Sequence, residues 1–355
     1  MNTRGISFLI TALAAISLVG CSSGVAPTAS TAAPSATQAA PSSAASAASP
    51  SQAASPSVAQ ASPSDDATTV VEPSTSPEPA LKVAWERSGP KPSQPCAYSP
   101  AVDSAGHIWV AVCWDSRFWI FDQAGKFLES WGTHGTGPGQ LDFAYPANHD
   151  SIGGIAFAPD GTFYTFDGGN LRVQHFDKTR KFIGSWGSFG SGDGQFAKPT
   201  SITVDGRGHV FVADGIRADA QEFTADGTFV RVIGSGAINT TGFAYIAADK
   251  AGNLFGSEGH NVARFGPDGS VSATYDIGAI ADIVSGMAVS GSGSLFVLSR
   301  ADDGPQATTE LDPEGEILHV WPGTGETLAL DPKGKAAYVA DVDWPFLRKY
   351  ELPAG

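Results

Sequence analysis

Cysteine, histidine and basic side chains are scarce in this sequence. Its 355 residues include only 3 cysteines and 7 histidines, which leaves little material for a Cys/His metal cluster. The chain has 21 lysine and arginine residues against 36 aspartates and glutamates, for a formal net charge of −15. Because nucleic-acid recognition needs a basic surface, this balance argues against a nucleic-acid partner. The uncharged, mostly apolar stretch at 6–20 is shorter than the roughly 20 residues that span a bilayer.

The N-terminal 21 residues have the pattern of an export signal. Arg4 is the only charged residue before a short apolar stretch that ends in small residues, which is typical of a secretory signal peptide. The sequence Leu-Val-Gly-Cys at 18–21 resembles the lipobox of bacterial lipoproteins, in which a diacylglyceryl group is placed on the cysteine thiol before cleavage ahead of it. We therefore expect residues 1–20 to be removed and the acylated Cys21 to anchor the chain to the extracytoplasmic face of the bacterial cell envelope. The alternative is an ordinary signal peptide with an unmodified cysteine.

Residues 21–80 have a composition that cannot form a core. Alanine, serine, proline and threonine account for 47 of these 60 residues, and none of the 60 is aromatic. Such a segment buries too little apolar surface to offset its conformational entropy, so we predict a disordered stalk. A flexible chain of this length averages roughly 40–45 Å between its ends, and proline lengthens it. The stalk would hold a folded domain away from the membrane; an interaction tail, favoured by its four acidic residues, is the alternative.

Residues 81–355 contain short strands that recur along the chain. An apolar run follows a turn glycine six times, as in HIWVAV and HVFVAD. Repeats of about 40–50 residues made of strands indicate a β-propeller, and Asp and Gly supply the conformations that tight hairpins need. We predict an all-β fold of six four-stranded antiparallel blades. The turn glycines lie 41 to 55 residues apart, at Gly106, Gly161, Gly208, Gly252, Gly293 and Gly334.

The last repeat ends without an outer strand, whereas a spare strand precedes the first repeat. Strand-like sequence stops at 347–350, and residues 81–86 match the outer strands that begin at Lys126 and Lys181. Pairing of 81–87 with the last repeat would close the ring and cover an exposed strand edge. We therefore predict that the N-terminal strand completes the sixth blade.

Several stretches of the second and third repeats carry a family resemblance. They are DGGNLRVQHFD at 167–177, KFIGSWG at 181–187, GQFAKP at 194–199 and VAD at 212–214. Together they resemble NHL repeats, with good matches in the first three units and degenerate ones in the last three. The resemblance covers 81–355 and implies a six-bladed, NHL-like β-propeller. It leaves the function open, because NHL propellers include both binding modules and enzymes.

Two of the three cysteines flank the first hairpin. Cys96 and Cys113 are equally distant from the centre of the turn at 103–106, so antiparallel pairing of the first two strands would bring them opposite each other. An exported domain occupies a compartment where disulfides persist. We predict a Cys96–Cys113 disulfide; two buried free thiols are the alternative.

Ligand-binding residues are expected on one face of the propeller. That face is formed by the connections between blades and by the loops between the two middle strands, and functional residues concentrate on such loops. Its many carboxylates suit Ca²⁺, another hard cation or a cationic ligand, although an acidic residue repeated at the end of the second strand more often caps a turn. The candidates are Tyr98, His149, Asp150, Asp167, Asp214, Glu258, His260, Asp302, Glu326 and Asp341.

Two functions from different classes fit these features. The first is a membrane-anchored extracytoplasmic binding or interaction module, a monomer that takes a protein or small-molecule ligand on this face and needs no cofactor. The second is a hydrolase or lactonase that uses Ca²⁺ or another divalent cation on the propeller axis. Stepping back eight residues from each turn glycine predicts an axial ring with one carboxylate and no histidine, which argues against the zinc centre of NHL-type amidating lyases. The ring is Tyr98, Gly153, Thr200, Ala244, Ser285 and Glu326. The sequence identifies no catalytic residue.

Overall fold

The structure, a computed structural model, describes residues 79–88, 97–112, 115–143, 153–235, 245–278, 283–301, 306–323, 325–341 and 346–353. Within these ranges the chain forms 24 strands in six four-stranded antiparallel sheets, which are the blades of a propeller, and it forms no helix. The predicted all-β fold with six blades is confirmed. The predicted signal peptide, Cys21 and nearly all of the predicted stalk lie outside the described residues.

The strands follow one another from the axis outwards in each of the first five blades. Strand β1 (Lys82–Arg87) precedes them. Blade 1 consists of β2 (Ala97–Val102), β3 (Ile108–Val112), β4 (Arg117–Phe121) and β5 (Phe127–Trp131). Blade 2 consists of β6 (Gly153–Phe157), β7 (Phe163–Asp167), β8 (Arg172–Phe176) and β9 (Phe182–Trp186). Blade 3 consists of β10 (Pro199–Val204), β11 (Val210–Asp214), β12 (Asp219–Phe223) and β13 (Phe229–Ile233).

Blades 4 and 5 repeat this order, and blade 6 departs from it. Blade 4 consists of β14 (Ile246–Ala248), β15 (Leu254–Glu258), β16 (Asn261–Phe265) and β17 (Val271–Asp276). Blade 5 consists of β18 (Ile283–Val289), β19 (Leu295–Arg300), β20 (Gln306–Leu311) and β21 (Ile317–Pro322). Blade 6 has three strands from the C-terminal end of the chain, β22 (Thr327–Leu330), β23 (Ala336–Ala340) and β24 (Leu347–Glu351). Its fourth strand is β1.

Strand β1 closes the ring, as the sequence predicts. It pairs antiparallel with β24, from Lys82 opposite Glu351 to Arg87 opposite Leu347. The indole of Trp85 packs at 6.0 Å from the ring of Tyr338 in the same blade. The first and last parts of the domain are therefore joined by a strand ladder, which removes the exposed edge that three strands would leave.

The described residues form a core of six apolar clusters, one between each pair of neighbouring blades. Blade 6 packs on blade 1, and each of the other blades packs on the next, so the apolar contacts run around the whole ring. The second strand of a blade is covered on both faces, and β3, β7 and β11 are buried at every position. This explains why these strands have continuous apolar runs rather than alternating patterns.

The ends of the strands define two faces of the propeller. The hairpin face carries the turns that join the first strand of a blade to the second and the third to the fourth, such as 103–106 and 122–125. The loop face, at the opposite ends of the strands, carries the connections between blades and the loops between second and third strands, such as 187–198 and 215–218. Asp167 and Asp214, which end β7 and β11, are candidate ligand-binding residues that belong to the loop face.

Candidate functional site

A cavity of about 250 Å³ lies on the propeller axis between the inner strands. All six blades contribute to its wall, and none of the described residues that line it has a formal charge. The wall is apolar with a few hydroxyl groups, and charged side chains can act on a ligand there only from the openings of the cavity. Representative lining residues are Ala101, Ile155, Thr200, Ala247, Gly286 and Thr327.

Tyr245 marks the end of this cavity that opens towards the loop face. Its backbone amide donates a hydrogen bond to the hydroxyl of Ser257 at 3.2 Å, which holds Tyr245 beside the last residues of β15. Burial raises the pKa of the Tyr245 phenol, and the nearby Glu326 carboxylate and Tyr98 phenol raise it further, while Arg300 opposes them. The structure thus brings two predicted candidates, Tyr98 and Glu326, close to a phenol that the sequence analysis did not single out.

Asp167, at the end of β7, is a completely buried carboxylate that organises the loop face of blade 2. One oxygen accepts a hydrogen bond from the backbone amide of Asp142 in the preceding connection. The other accepts from Asn170, from Arg172 at 2.8 Å and from Gln174 at 3.0 Å. Burial raises the pKa of Asp167, and the hydrogen bonds from the Asp142 amide, Asn170 and Arg172 oppose that effect. In this arrangement the carboxylate joins a connection to a strand.

Asp214, at the end of β11, has the equivalent role in blade 3 and is also completely buried. One oxygen accepts from the amides of Ala197 at 2.6 Å and Lys198 at 2.8 Å in the connection before β10. The other accepts from the amides of Ile216 and Arg217, each at 3.0 Å, in the loop after β11. A single side chain therefore holds two adjacent loops of the loop face in register.

Two of the other predicted candidates have described side chains, and each lies near a different charged partner. His260 lies 3.8 Å from Asp276, and both side chains are about half exposed. Asp341 accepts a hydrogen bond at 3.3 Å from Arg348 in the next strand. The side chain of Glu258 is not described. Three other candidates and the two cysteines of the predicted disulfide lie outside the described residues; they are His149, Asp150, Asp302, Cys96 and Cys113.

Two large apolar side chains are exposed on the loop face near Asp214. Phe189, in the connection that leads to β10, is 72% exposed, and Ile216, in the loop after β11, is 61% exposed. Arg217 donates to the carbonyl oxygens of Ser191 and Gly192, so the two segments that carry these apolar side chains are bonded to each other.

The sequence patterns did not single out Phe189 and Ile216, although one signal of them was present. The parallel bridge between Phe189 and Phe196 has a counterpart between His134 and Leu141 one blade earlier. An aromatic residue thus replaces a polar one at an equivalent exposed position of the repeat.

Two features that would point to other functions are not found in the ranges that the structure describes. Nowhere in them do three or more histidine, cysteine, aspartate or glutamate side chains come together as metal ligands would. No helix long and apolar enough to cross a membrane occurs in these ranges either.

Comparison with known proteins agrees with the fold and gives one relative in sequence. No family model matches the chain. NHL repeat-containing protein 3 from Homo sapiens is 27% identical over 278 residues, which cover 72% of this chain and 68% of that protein. A streptogramin B lyase structure has a TM-score of 0.51 at 14% identity, with 78% of this chain and 88% of that one covered. An inactive virginiamycin B lyase from Staphylococcus aureus, solved with quinupristin, has a TM-score of 0.50 at 12% identity, with 73% and 85% covered.

These findings define the class of the domain as a six-bladed β-propeller. Its sequence is similar to that of the human NHL repeat-containing protein, in agreement with the NHL-like repeat pattern of the first three blades. At identities of 12–14% the two lyase structures show the shared fold alone.

Proposed function

We propose that the protein is a lipid-anchored, extracytoplasmic interaction module that binds a protein partner on the loop face of its propeller. The observation that carries this proposal is the pair of exposed apolar side chains, Phe189 and Ile216. They lie on two loops whose backbone amides are hydrogen-bonded to the buried carboxylate of Asp214. Large apolar groups that project from a rigid surface are typical of the few residues that dominate the affinity of a protein–protein interface.

The rigidity of these loops comes from buried groups rather than from the exposed ones. Asp214 bonds to both loops, and Arg217 joins them again through Ser191. The guanidinium of Arg217 is in turn held by the carboxylate of Asp219 at 3.0 Å. Because the loops are ordered before binding, a partner would lose little free energy in fixing them.

The location rests on the sequence. The lipobox at 18–21 supports lipidation of Cys21, and the Ala/Ser/Pro/Thr-rich segment at 21–80 supports a spacer between the membrane and the propeller. A stalk of this length, with its ends roughly 40–45 Å apart on average, would let the loop face reach partners at some distance from the bilayer.

A photo-crosslinking amino acid at position 189 tests the binding surface in intact cells. Replacement of Phe189 by p-benzoylphenylalanine keeps an aromatic group at the site, and the same replacement at Ile183, which is 52% exposed on outer strand β9, is the matched control. We expect a light-dependent adduct with one protein from position 189 and none from position 183. The adduct should disappear when Ile216→Ser is added; adducts that are equal at both positions, or absent at position 189, would contradict the proposal.

Cell fractionation tests the anchor separately. Cys21→Ser should move the protein out of the membrane fraction, because the thiol that accepts the lipid is lost, whereas Ser22→Ala should leave it there. A Cys21→Ser variant that still sediments with membranes would show that lipidation is not the anchor.

The second candidate function is a divalent-metal-dependent hydrolase or lactonase. Its support is the Glu326 carboxylate, whose charge acts on the Tyr245 phenol at the end of the axial cavity and raises the pKa of that phenol. Thermal unfolding with Ca²⁺, Mg²⁺, Mn²⁺ and Zn²⁺ separates the two functions, because a tightly bound ion stabilises the fold by mass action. A shift of the unfolding temperature that Glu326→Gln abolishes would favour the hydrolase.

A further inference from the structure

A second cavity, of about 470 Å³, opens on the hairpin face, away from the loop face. It is lined by residues of the first-hairpin turns of blades 4, 5 and 6, together with side chains of β19, β20 and β21 in blade 5 and residues that follow β24. We call it the hairpin cleft. Its charged and polar side chains include Lys250, Lys333, Glu310 and His319.

Three turns converge at one side of the hairpin cleft. A Cβ atom placed on Gly291, in the turn of blade 5, would lie 3.8 Å from Nζ of Lys250 and 3.5 Å from the carbonyl oxygen of Pro332. Lys250 belongs to the turn of blade 4, and Pro332 precedes Lys333 in the turn of blade 6. The Lys250 ammonium therefore lies beside the turn of blade 5, and Lys333 lines the same cleft. Within the described part of the chain neither lysine forms an ion pair with a carboxylate.

The turn of blade 5 departs from the repeat at this place. The first-hairpin turns of the other five blades each contain an aspartate, whereas blade 5 has Ser-Gly-Ser-Gly at 290–293. The hydroxyl of Ser290 accepts a hydrogen bond from the amide of Ser294 at 3.0 Å, as the carboxylate of Asp249 does from Asn253 at 2.8 Å in blade 4. The turn therefore keeps its geometry and loses its negative charge. The five aspartates are Asp103, Asp160, Asp205, Asp249 and Asp331.

Another part of the wall of the hairpin cleft is aromatic and apolar. Phe296 stacks on Trp321 with their rings 6.3 Å apart and 8° from parallel, and Trp321 stacks on His319 at 5.0 Å. Leu318, which is 46% exposed, continues this surface towards solvent. Glu310 is the one carboxylate among the described lining residues, and it stands directly across the strand pair from His319.

We propose that the hairpin cleft binds a small organic anion, with its carboxylate or phosphate between Lys250, Lys333 and the 290–293 turn, and with its apolar part against the aromatic wall. The hydroxyls of Ser290 and Ser292 share one hydrogen bond of 2.7 Å, which leaves one O–H of the two to donate to the anion. Hydroxyl groups and ammonium groups are the donors that such anions recruit in proteins. The missing aspartate is what makes the place available, since a carboxylate at position 290 would repel the ligand and neutralise the lysines. This site is independent of the loop face and of its proposed partner.

Calorimetric titration of the full-length protein tests the site with three probes: inorganic phosphate, phenyl phosphate and benzoate. We expect phenyl phosphate to bind at least about tenfold more tightly than inorganic phosphate, because its ring buries apolar surface against Phe296 and Leu318. Comparison of phenyl phosphate with benzoate then shows whether the cleft prefers the phosphate or the carboxylate. Failure of all three probes to bind, or equal affinity for phosphate with and without the ring, would overturn the proposal.

Three variants make the titration specific. Ser290→Asp introduces the aspartate that four of the other blades have at this position, so it should keep the fold and weaken binding at least about tenfold through charge repulsion. Replacement of both Lys250 and Lys333 by alanine should do the same by removing the two cations. Lys335→Ala removes an exposed lysine of the same blade 6 turn that does not line the cleft, so it should leave affinity unchanged. Unchanged affinity in Ser290→Asp or in the double variant would overturn the site.

Discussion

Asp214→Ala is the sharpest test of how the loop face is held. The carboxylate is completely buried and accepts hydrogen bonds from four backbone amides, those of Ala197, Lys198, Ile216 and Arg217. Alanine leaves all four donors without this acceptor. An orphaned buried donor costs about 1–3 kcal/mol, and because these loops lie near solvent we take the lower end for each, which gives a loss of about 4 kcal/mol in the free energy of unfolding.

Thermal unfolding of the full-length protein, followed by circular dichroism, measures this loss. For a domain of this size each kcal/mol corresponds to roughly 2–4 °C in Tm, so Asp214→Ala should lower Tm by about 10 °C. Asp193→Ala removes an exposed carboxylate from the same connection and should change the stability by less than about 0.5 kcal/mol. If Asp214→Ala melts within about 2 °C of the wild type, the four hydrogen bonds do not hold the loops and the reasoning fails.

Three further predictions concern other parts of the domain. Burial raises the pKa of Glu222, but hydrogen bonds led by the one from Arg231 outweigh this and hold the pKa below its usual 4.5. The ionised carboxylate therefore contributes to the free energy of unfolding above pH 4.5, and this contribution is lost as the pH falls through the lowered pKa. Glu222→Gln should flatten the acid side of a stability–pH profile. Trp85→Ala should lower the free energy of unfolding by about 2 kcal/mol in chemical denaturation, because it removes a half-buried indole from β1, the strand that closes the ring. Mass spectrometry with and without reductant should detect a Cys96–Cys113 disulfide; two thiols that alkylate in the native protein would contradict it.

The fold could be predicted from the sequence because its determinants are local and repeated. A glycine turn returns at each blade and carries an aspartate in five of the six, and Asp103 illustrates why: its side chain accepts hydrogen bonds from the amides of Ala105 and His107, which fixes the hairpin without help from the rest of the domain. The closure by β1 was also predictable, since an unmatched strand at one end of a repeat array and a missing one at the other leave a single arrangement without a free edge.

The site was predicted less well because irregularities in the inner strands change the register. A constant step of eight residues predicts Ser285 in the axial ring, but a bulge between Val284 and Gly286 places Gly286 in the cavity wall. A bulge after Tyr98 likewise places Ser99 in the cavity wall. Tyr98 contributes instead to the raised pKa of Tyr245 at the end of the cavity. Counting along the sequence cannot reveal such shifts, because the extra residue of a bulge has no characteristic residue type here.

The roles of the repeated acidic residues depended on contacts with segments distant in sequence. Asp167 and Asp214 have the same position in their blades, and the sequence allowed either a ligand-binding or a turn-capping role for them. The bonds to Asp142 and to Ala197 come from connections 25 and 17 residues earlier in the chain, and they show what the carboxylates do in this structure. Such partners become visible only when the blades are assembled.

The mass of the mature N-terminal peptide, measured on protein isolated from the membrane fraction of cells, tests the central claim of an anchored extracytoplasmic module most directly. The account predicts a chain that begins at Cys21 and carries a diacylglyceryl group on that residue. A mature chain that begins at Met1 with an unmodified Cys21 would contradict it.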